Sequence, residues 1–380
     1  MKTVVLGDLI RPAGRKAGAD TNFPVYSVTK HSGFVPSLEY FKKQVFSREV
    51  TGYKLVEPGD FAYATIHLDE GSIGIAPERG LISPMYTVFS ADGSRVDSNY
   101  LIRFLKSPRA LAHYPQLGKG AIHRRKSISL SALGNLPIPL PSIPEQQRIA
   151  ALLDRADAIR TKRRQVLAHL DSLTQSIFHD MFGHPFSNER HFPKESIGSL
   201  ATVETGNSPS RASAENFGNA IEWIKSDNLG NVIATRAIEG LSETGMRRAR
   251  IAPAGSILVT CIAGSALSIG KASIVDRPVA FNQQINAILP SDSIDAMFLL
   301  GQLKTFPELV RGRSTGGMKG LVNKSAFASI EVLVPPRKTQ RIYAQRMQVL
   351  IGLRQATLHA LTADDDLFAS LQSRAFRGDL

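Results

Sequence analysis

The feature that most constrains this chain is that much of it is written twice. Val5-Leu6-Gly7-Asp8-Leu9 resembles Ser196-Ile197-Gly198-Ser199-Leu200, 191 positions later. Tyr26-Ser27-Val28-Thr29 resembles Trp223-Ile224-Lys225-Ser226. Pro58-Gly59-Asp60 and Ile73-Gly74-Ile75-Ala76 match Ala254-Gly255-Ser256 and Ile269-Gly270-Lys271-Ala272, both at offset 196. Ile138-Pro139-Leu140-Pro141 matches Val332-Leu333-Val334-Pro335, and Gln147-Arg148-Ile149 matches Gln340-Arg341-Ile342. Met181-Phe182-Gly183 against Ala375-Phe376-Arg377 completes the series. One such match is weak, but seven in order define a tandem repeat with small loop insertions. The order is globular unit, helix, globular unit, helix, with expected boundaries 1–143, 144–183, 184–335 and 336–380.

Each globular unit reads as mixed α/β (α+β) with short strands. Residues 61–66 and 257–262 are β-rich and follow a Pro-Gly or Ala-Gly turn; residues 85–89 and 285–289 are further strands. Residues 99–106 and 296–304 read as short helices. Each unit closes on an extended segment, 136–141 or 330–335, where prolines or a β-branched run exclude helix.

The segment after the first unit is the clearest helix. Ser142 and Glu145 have capping-box spacing, Pro144 sits in the first turn, and Gly183 with Pro185 supplies the stop. At ~1.5 Å per residue such a rod is about 58 Å long. Its apolar residues recur by threes and fours at Ile149, Leu152, Ala156, Ile159, Val166, Leu170, Leu173 and Ile177, interrupted by Arg163. The C-terminal segment repeats this with Tyr343, Met347, Leu350, Leu353, Leu361, Leu367 and Leu371, with Thr357 opposite Arg163 in the repeat. Two equal helices, each following its own unit, predict an antiparallel coiled coil.

Composition narrows the function. Among 380 residues, 46 are basic and 33 acidic, a net charge of +13 that suggests a polyanionic partner. The excess is +7 over residues 1–143 and only +2 over 183–335, and no block of five like charges occurs, so it is not a basic tail. A single cysteine, Cys261, excludes an internal disulfide framework and a four-cysteine zinc site. The N-terminal apolar run is too short for a signal peptide and no eighteen-residue apolar run exists, so a cytoplasmic location is expected.

Catalytic signatures are missing. Gly264–Lys271 resembles a phosphate loop, but its spacing is one residue too long and Ala272 stands where Ser or Thr would hold magnesium. His67-Leu68-Asp69-Glu70 has no counterpart in Ile262-Ala263-Gly264-Ser265 and reads as an exposed polar loop. No G-x-G-x-x-G, H-E-x-x-H or methyltransferase Pro-Pro-aromatic motif occurs. The chain is expected to be no enzyme by itself, with no cofactor and no metal.

Leu136-Pro-Ile-Pro-Leu-Pro-Ser-Ile-Pro-Glu-Gln-Gln-Arg-Ile149, with Tyr53–Tyr63, Phe281-Asn-Gln-Gln-Ile285 and Leu371–Leu380, resembles the specificity subunits of type I restriction–modification systems. The resemblance spans essentially the whole chain. Pro336-Arg-Lys-Thr-Gln340 departs from it by lacking the Glu of Pro144-Glu145-Gln146. It implies that each unit, a target-recognition domain, reads one half of a bipartite asymmetric site on double-stranded DNA. The helical pair would act as a ruler and as the docking surface for two modification (methyltransferase) subunits. Restriction subunits would supply ATP-driven translocation and cleavage.

Candidate DNA contacts are basic or amide residues in repeat-equivalent loops, since phosphates take Lys and Arg, and bases take Arg, Lys, Asn or Gln. In the first unit they are Lys30, Lys119, His123, Arg124, Arg125 and Lys126. In the second they are Lys225, Asn228, Arg247, Arg248, Arg250, Arg311, Arg313, Lys319 and Lys324. Arg160, Lys162, Arg163 and Arg164 suit the helix pair or a subunit interface better, and Trp223 suits a core. A duplicated protein-interaction scaffold and a stand-alone nuclease with a dispersed site are the alternatives that the residues leave open.

Overall fold

The computed structural model describes residues 2–118, 127–315 and 320–380. The chain divides into two compact units, Met1–Arg163 with Ala360–Leu380, and Arg164–His359. The division falls inside both long helices, Ile143–Phe182 and Arg337–Arg377. Each unit therefore owns a stretch of each helix.

The first unit is tied at its ends by an antiparallel pair of strands, Lys2–Val5 and Pro137–Leu140. Prolines are tolerated there because the pair has no further strand beside it. A four-stranded antiparallel sheet follows in the order Ile10–Pro12, Tyr86–Ala91, Phe61–Ala64, Ile73–Ile75. A five-stranded sheet runs Arg15–Lys16, Lys54–Val56, Gly80–Ile82, Val25–Thr29, Gly33–Pro36, with one parallel pairing, Val25 to Leu81. Helices Ser98–Leu105 and Pro108–Leu117 cover the first sheet, capped by Asp97 and Ser107.

The second unit repeats this plan. Lys194–Ser196 pairs with Glu331–Leu333, and a four-stranded antiparallel sheet runs Val203–Thr205, Ile285–Ile288, Ile257–Thr260, Ala272–Ile274. A further sheet, Gly240–Leu241, Phe217–Ile224, Val279–Phe281, Ile251–Ala252, again contains one parallel pairing, Trp223 to Ala280. Helix Ala296–Thr305 is capped by Asp295. Repeat-equivalent Gly59 and Gly255 both adopt left-handed φ, +90° and +88°, in turns closed by Gly59 N–H to the Ala76 carbonyl and Gly255 N–H to that of Val275.

Both units complete their cores with the long helices in the same way. In the first, Ile149 and Leu153 are buried, and Phe376 packs edge-on against Phe104 at 5.1 Å. In the second, Tyr343 and Met347 are buried, and Phe178 and Phe182 meet Phe298 at 5.8 and 4.7 Å. Phe182 and Phe376 occupy corresponding positions, as do Ile149 and Tyr343. Within each unit the two helix stretches run antiparallel: Arg160 meets Asp365 and Arg163 meets Asp364 in the first, while Asp171 meets Arg354 and Phe178 meets Tyr343 in the second.

Two sequence expectations are corrected. The counterpart of Gln340 at the helix start is Gln146, since both are fully buried while Gln147 is exposed. The helix seam is also shifted. Ile159, Val166 and Leu173 are 49%, 45% and 43% exposed, and Leu353 and Leu367 are 51% and 54%. The residues next to them turn inward instead: Arg160, Leu167 and Thr174 on the first helix, Arg354 and Phe368 on the second. Ile149, Tyr343 and Met347 are buried, whereas Leu152, Ala156, Leu170, Ile177, Leu350, Leu361 and Leu371 are half-buried. The physical reason is that arginine can bury its stem in a helix interface when a facing carboxylate takes its head. Apolar content alone therefore selects the wrong neighbour.

Candidate nucleic-acid interface

In the first unit Lys30 is exposed in the turn between strands Val25–Thr29 and Gly33–Pro36, and its carbonyl accepts from Lys106 Nζ at 3.4 Å. Burial holds that Lys106 amine below the usual lysine range. Lys119, His123, Arg124, Arg125 and Lys126 lie outside the described residues. The chain resumes beside them on a firm anchor: Ile128 is buried, its N–H donates to the Thr65 carbonyl at 2.9 Å, and its carbonyl accepts from Tyr63 Oη at 3.0 Å.

In the second unit the candidates separate into two groups. Lys225 is half-buried, with Nζ bonded to Glu239 and 5.0 Å from the centre of the Trp223 ring. Arg211 joins the same carboxylate at 3.2 Å. These cations hold Glu239 below the usual carboxylate range, the Lys225 hydrogen bond contributing most. Trp223 is itself core, 3% exposed. Asn228 is spent on its own loop, accepting from Lys225 N–H at 3.0 Å and donating to the Arg236 carbonyl at 3.1 Å. Arg311 clasps another loop through the carbonyls of Ile269 (3.1 Å) and Leu267 (3.0 Å). Lys225, Asn228 and Arg311 thus have structural employment.

Arg247, Arg248 and Arg250 form the second group. They lie at and just beyond the end of helix Glu243–Arg248 and are exposed. Arg248 donates to Asn216 Oδ1 at 3.2 Å, and Arg250 to the Thr205 carbonyl at 2.6 Å. Asn207 binds the intervening backbone on both sides, donating to the Arg248 carbonyl and accepting from Arg250 N–H, each at 2.8 Å. Beside it, Ser208 Oγ bonds Gln283 in the turn Phe281–Ile285. Gly206 makes this approach feasible, because a Cβ there would collide with the carbonyls of Phe281 and Asn282. Arg248, Arg250, Ser208 and Gln283 therefore share one polar edge suited to phosphates and bases, and Asn207, whose amide is spent on the Arg248 and Arg250 backbone, holds that edge in place. Asn207, Ser208 and Gln283 are additions to the sequence-derived set. The sequence hint was Gly206 beside an amide, a pattern that gains meaning only once the facing turn is known.

Arg313 and Lys324 are exposed, and Lys319 lies outside the described residues, as do Gly316, Gly317 and Met318. Gly264–Lys271 is a connection between strands Ile257–Thr260 and Ala272–Ile274, closed by Gly270 N–H to the Thr260 carbonyl at 2.9 Å. His67 and Glu70 are exposed, 3.4 Å apart. Among the described residues no cluster of three or more His, Cys, Asp or Glu could hold a metal, and no helix is long and apolar enough to cross a membrane.

The family described as "Type I restriction modification DNA specificity domain" matches residues 70–169 and 192–363, well over half of the chain. The HindI specificity subunit of Haemophilus influenzae is 29% identical over 164 residues, covering 42% of this chain and 35% of that protein. The MjaVIII specificity subunit of Methanocaldococcus jannaschii is 21% identical over 345 residues, covering 84% of this chain and 80% of its own. The fold matches a chain from a study of assembly and conformational transition in the type I R-M system, with TM-score 0.62, 18% identity and coverage of 100% and 98%. It also matches the S subunit of M. genitalium, with TM-score 0.61, 12% identity and coverage of 99% and 96%.

Proposed function

The chain belongs to the type I restriction–modification DNA specificity family, and from that premise we propose that each of its two units reads one half of a bipartite, asymmetric DNA site. The observation that carries this reading is the duplication in three dimensions. Each unit has a closing two-stranded pair, a four-stranded antiparallel sheet and a further sheet with one parallel pairing, and each core is completed by the start of one long helix and the end of the other, Ile149 with Phe376 and Tyr343 with Phe182. Two similar but non-identical readers suit two different half-sites. The helices serve as the ruler between them.

The reading surface of the second unit is the edge of Arg248, Arg250, Ser208 and Gln283, positioned by Asn207, with Arg247, Arg313, Lys319 and Lys324 as phosphate contacts. In the first unit Lys30, Lys119, His123, Arg124, Arg125 and Lys126 take this role. Two modification subunits dock on the long helices, whose outward apolar residues Ile159, Val166, Leu173, Val349 and Leu353 are exposed. Those subunits bring adenine methylation, and restriction subunits bring translocation and cleavage. The chain contributes recognition and no catalytic group, and it works in the cytoplasm.

Mapping methylated adenines in cells that carry this protein with its modification partner tests the reading. A motif of two short defined halves separated by a fixed number of unspecified base pairs is expected. A continuous motif, or cleavage of DNA by this chain alone in the presence of a divalent metal, would overturn it.

A further inference from the structure

Each long helix begins beside a fully buried glutamine, Gln146 or Gln340, related by the repeat. Gln146 Oε1 accepts from the N–H of Asp97 at 2.8 Å, and its Nε2 donates to the carbonyls of Pro141 at 2.9 Å and Arg95 at 3.2 Å. Gln340 Oε1 accepts from the N–H of Asp295 at 2.8 Å, and its Nε2 donates to the Pro335 carbonyl at 2.7 Å. Asp97 and Asp295 are themselves the capping residues of helices Ser98–Leu105 and Ala296–Thr305. Pro141 and Pro335 follow the last strand of each unit.

One amide in each repeat therefore fastens three pieces together: the globular unit's main helix, its exit strand and the first turn of the long helix. The pattern needs an acceptor and a donor on one planar head at the end of a two-methylene stem, which glutamine alone supplies. A carboxylate would set negative charge against two carbonyls in the first repeat. An apolar replacement would take this partner from part-buried or buried backbone groups, the Asp97 or Asp295 N–H and the carbonyls it binds. Few other side chains could fix the direction in which the long helix leaves its unit so directly.

On the reading above, we propose that Gln146 and Gln340 are positioning residues that hold each DNA-reading unit at a fixed angle on its helix, and so set how strictly the spacing between half-sites is enforced. They touch no DNA. Their loss should loosen spacing while leaving each half-site preference intact.

The test uses the full chain assembled with its modification subunits, carrying Gln146→Leu, Gln340→Leu or both. Methylation is measured on duplexes with the native half-sites and a spacer of native length, or one base pair shorter or longer. The expected result is a roughly tenfold loss of discrimination between native and altered spacers, greatest in the double variant, with unchanged ranking of half-site mutations. Gln340→Glu, which keeps the acceptor, serves where a leucine variant fails to fold and should show a smaller loss in the same direction. Unchanged spacer discrimination in variants of lowered melting temperature would show a merely structural role and overturn the proposal. Equal methylation of all three spacers by the unsubstituted protein would instead sink the ruler reading, and the proposal with it.

Discussion

Arg160 Nε donates to Asp365 Oδ1 at 2.5 Å, while the same guanidinium reaches Asp157 at 3.0 Å and lies 4.3 Å over the Phe368 ring. One turn on, Arg163 bonds Asp364. Charged layers thus close the helix pair of the first unit. The arrangement favours one direction and register, because shifting either helix by a turn would part these partly exposed arginines from their carboxylates.

A double-mutant cycle on Arg160→Ala and Asp365→Ala should return a coupling of about 1 kcal/mol, reduced by salt, as fits a half-exposed pair. Urea denaturation at two ionic strengths measures it. A coupling of zero would mean that the pair contributes nothing to register.

Tyr343 lies wholly inside the second unit's aromatic cluster, yet its hydroxyl has no hydrogen-bond partner among the described residues. Tyr343→Phe should therefore be neutral or stabilise the unit by up to about 1 kcal/mol. Tyr343→Ala should cost about 3–5 kcal/mol. Melting curves of the two variants decide; a phenylalanine variant as unstable as the alanine one would point to a missing polar partner.

Burial pushes the Cys261 thiol up to about 12. Only the thiolate attacks disulfide reagents. Folded protein at pH 8 should release almost no chromophore from an aromatic disulfide over minutes, and one equivalent per chain in guanidinium. Fast reaction of the folded protein would contradict the burial of Cys261 in the core that holds Val259 and Ile269.

Glu222 accepts from both ends of the Arg277 guanidinium at 2.8 and 2.6 Å, and this bonding holds its carboxyl down to about 2. A carboxylate lowered in the folded state adds stability above about 4.5, lost as pH falls toward 2. With solvent screening its contribution is about 1 kcal/mol. Glu222→Gln should lower stability at pH 7 by that amount, and the gap should close on acidification between those values. A gap unchanged at pH 2 would assign the effect to hydrogen-bond geometry instead of charge.

The repeat made the architecture legible. Residues such as Gly59 and Gly255, or Phe182 and Phe376, matched in sequence and then took equivalent places in three dimensions. The helix seam was only half legible. Periodicity favoured Ile159 over Arg160 because hydropathy weighs a side chain's head and ignores a facing carboxylate 205 positions away. The proposed reading edge was less legible still. Lys225, Arg311 and Arg250 look alike as letters, yet the first two are engaged by Glu239 and by a loop's carbonyls, and only the third borders the exposed edge with Asn207. Burial and partner choice separate them, and neither is written locally.

The proposed ruler role of the long helices is tested most directly by lengthening them. One heptad inserted in each long helix, between Arg163 and Arg164 and between His359 and Ala360, adds about 10 Å of rise. At ~3.4 Å per base pair that equals about three base pairs. The methylated motif of the lengthened protein, assembled with its modification subunits, should keep both half-sites and gain about three base pairs of spacer. A methylated motif with the original spacer would contradict the account.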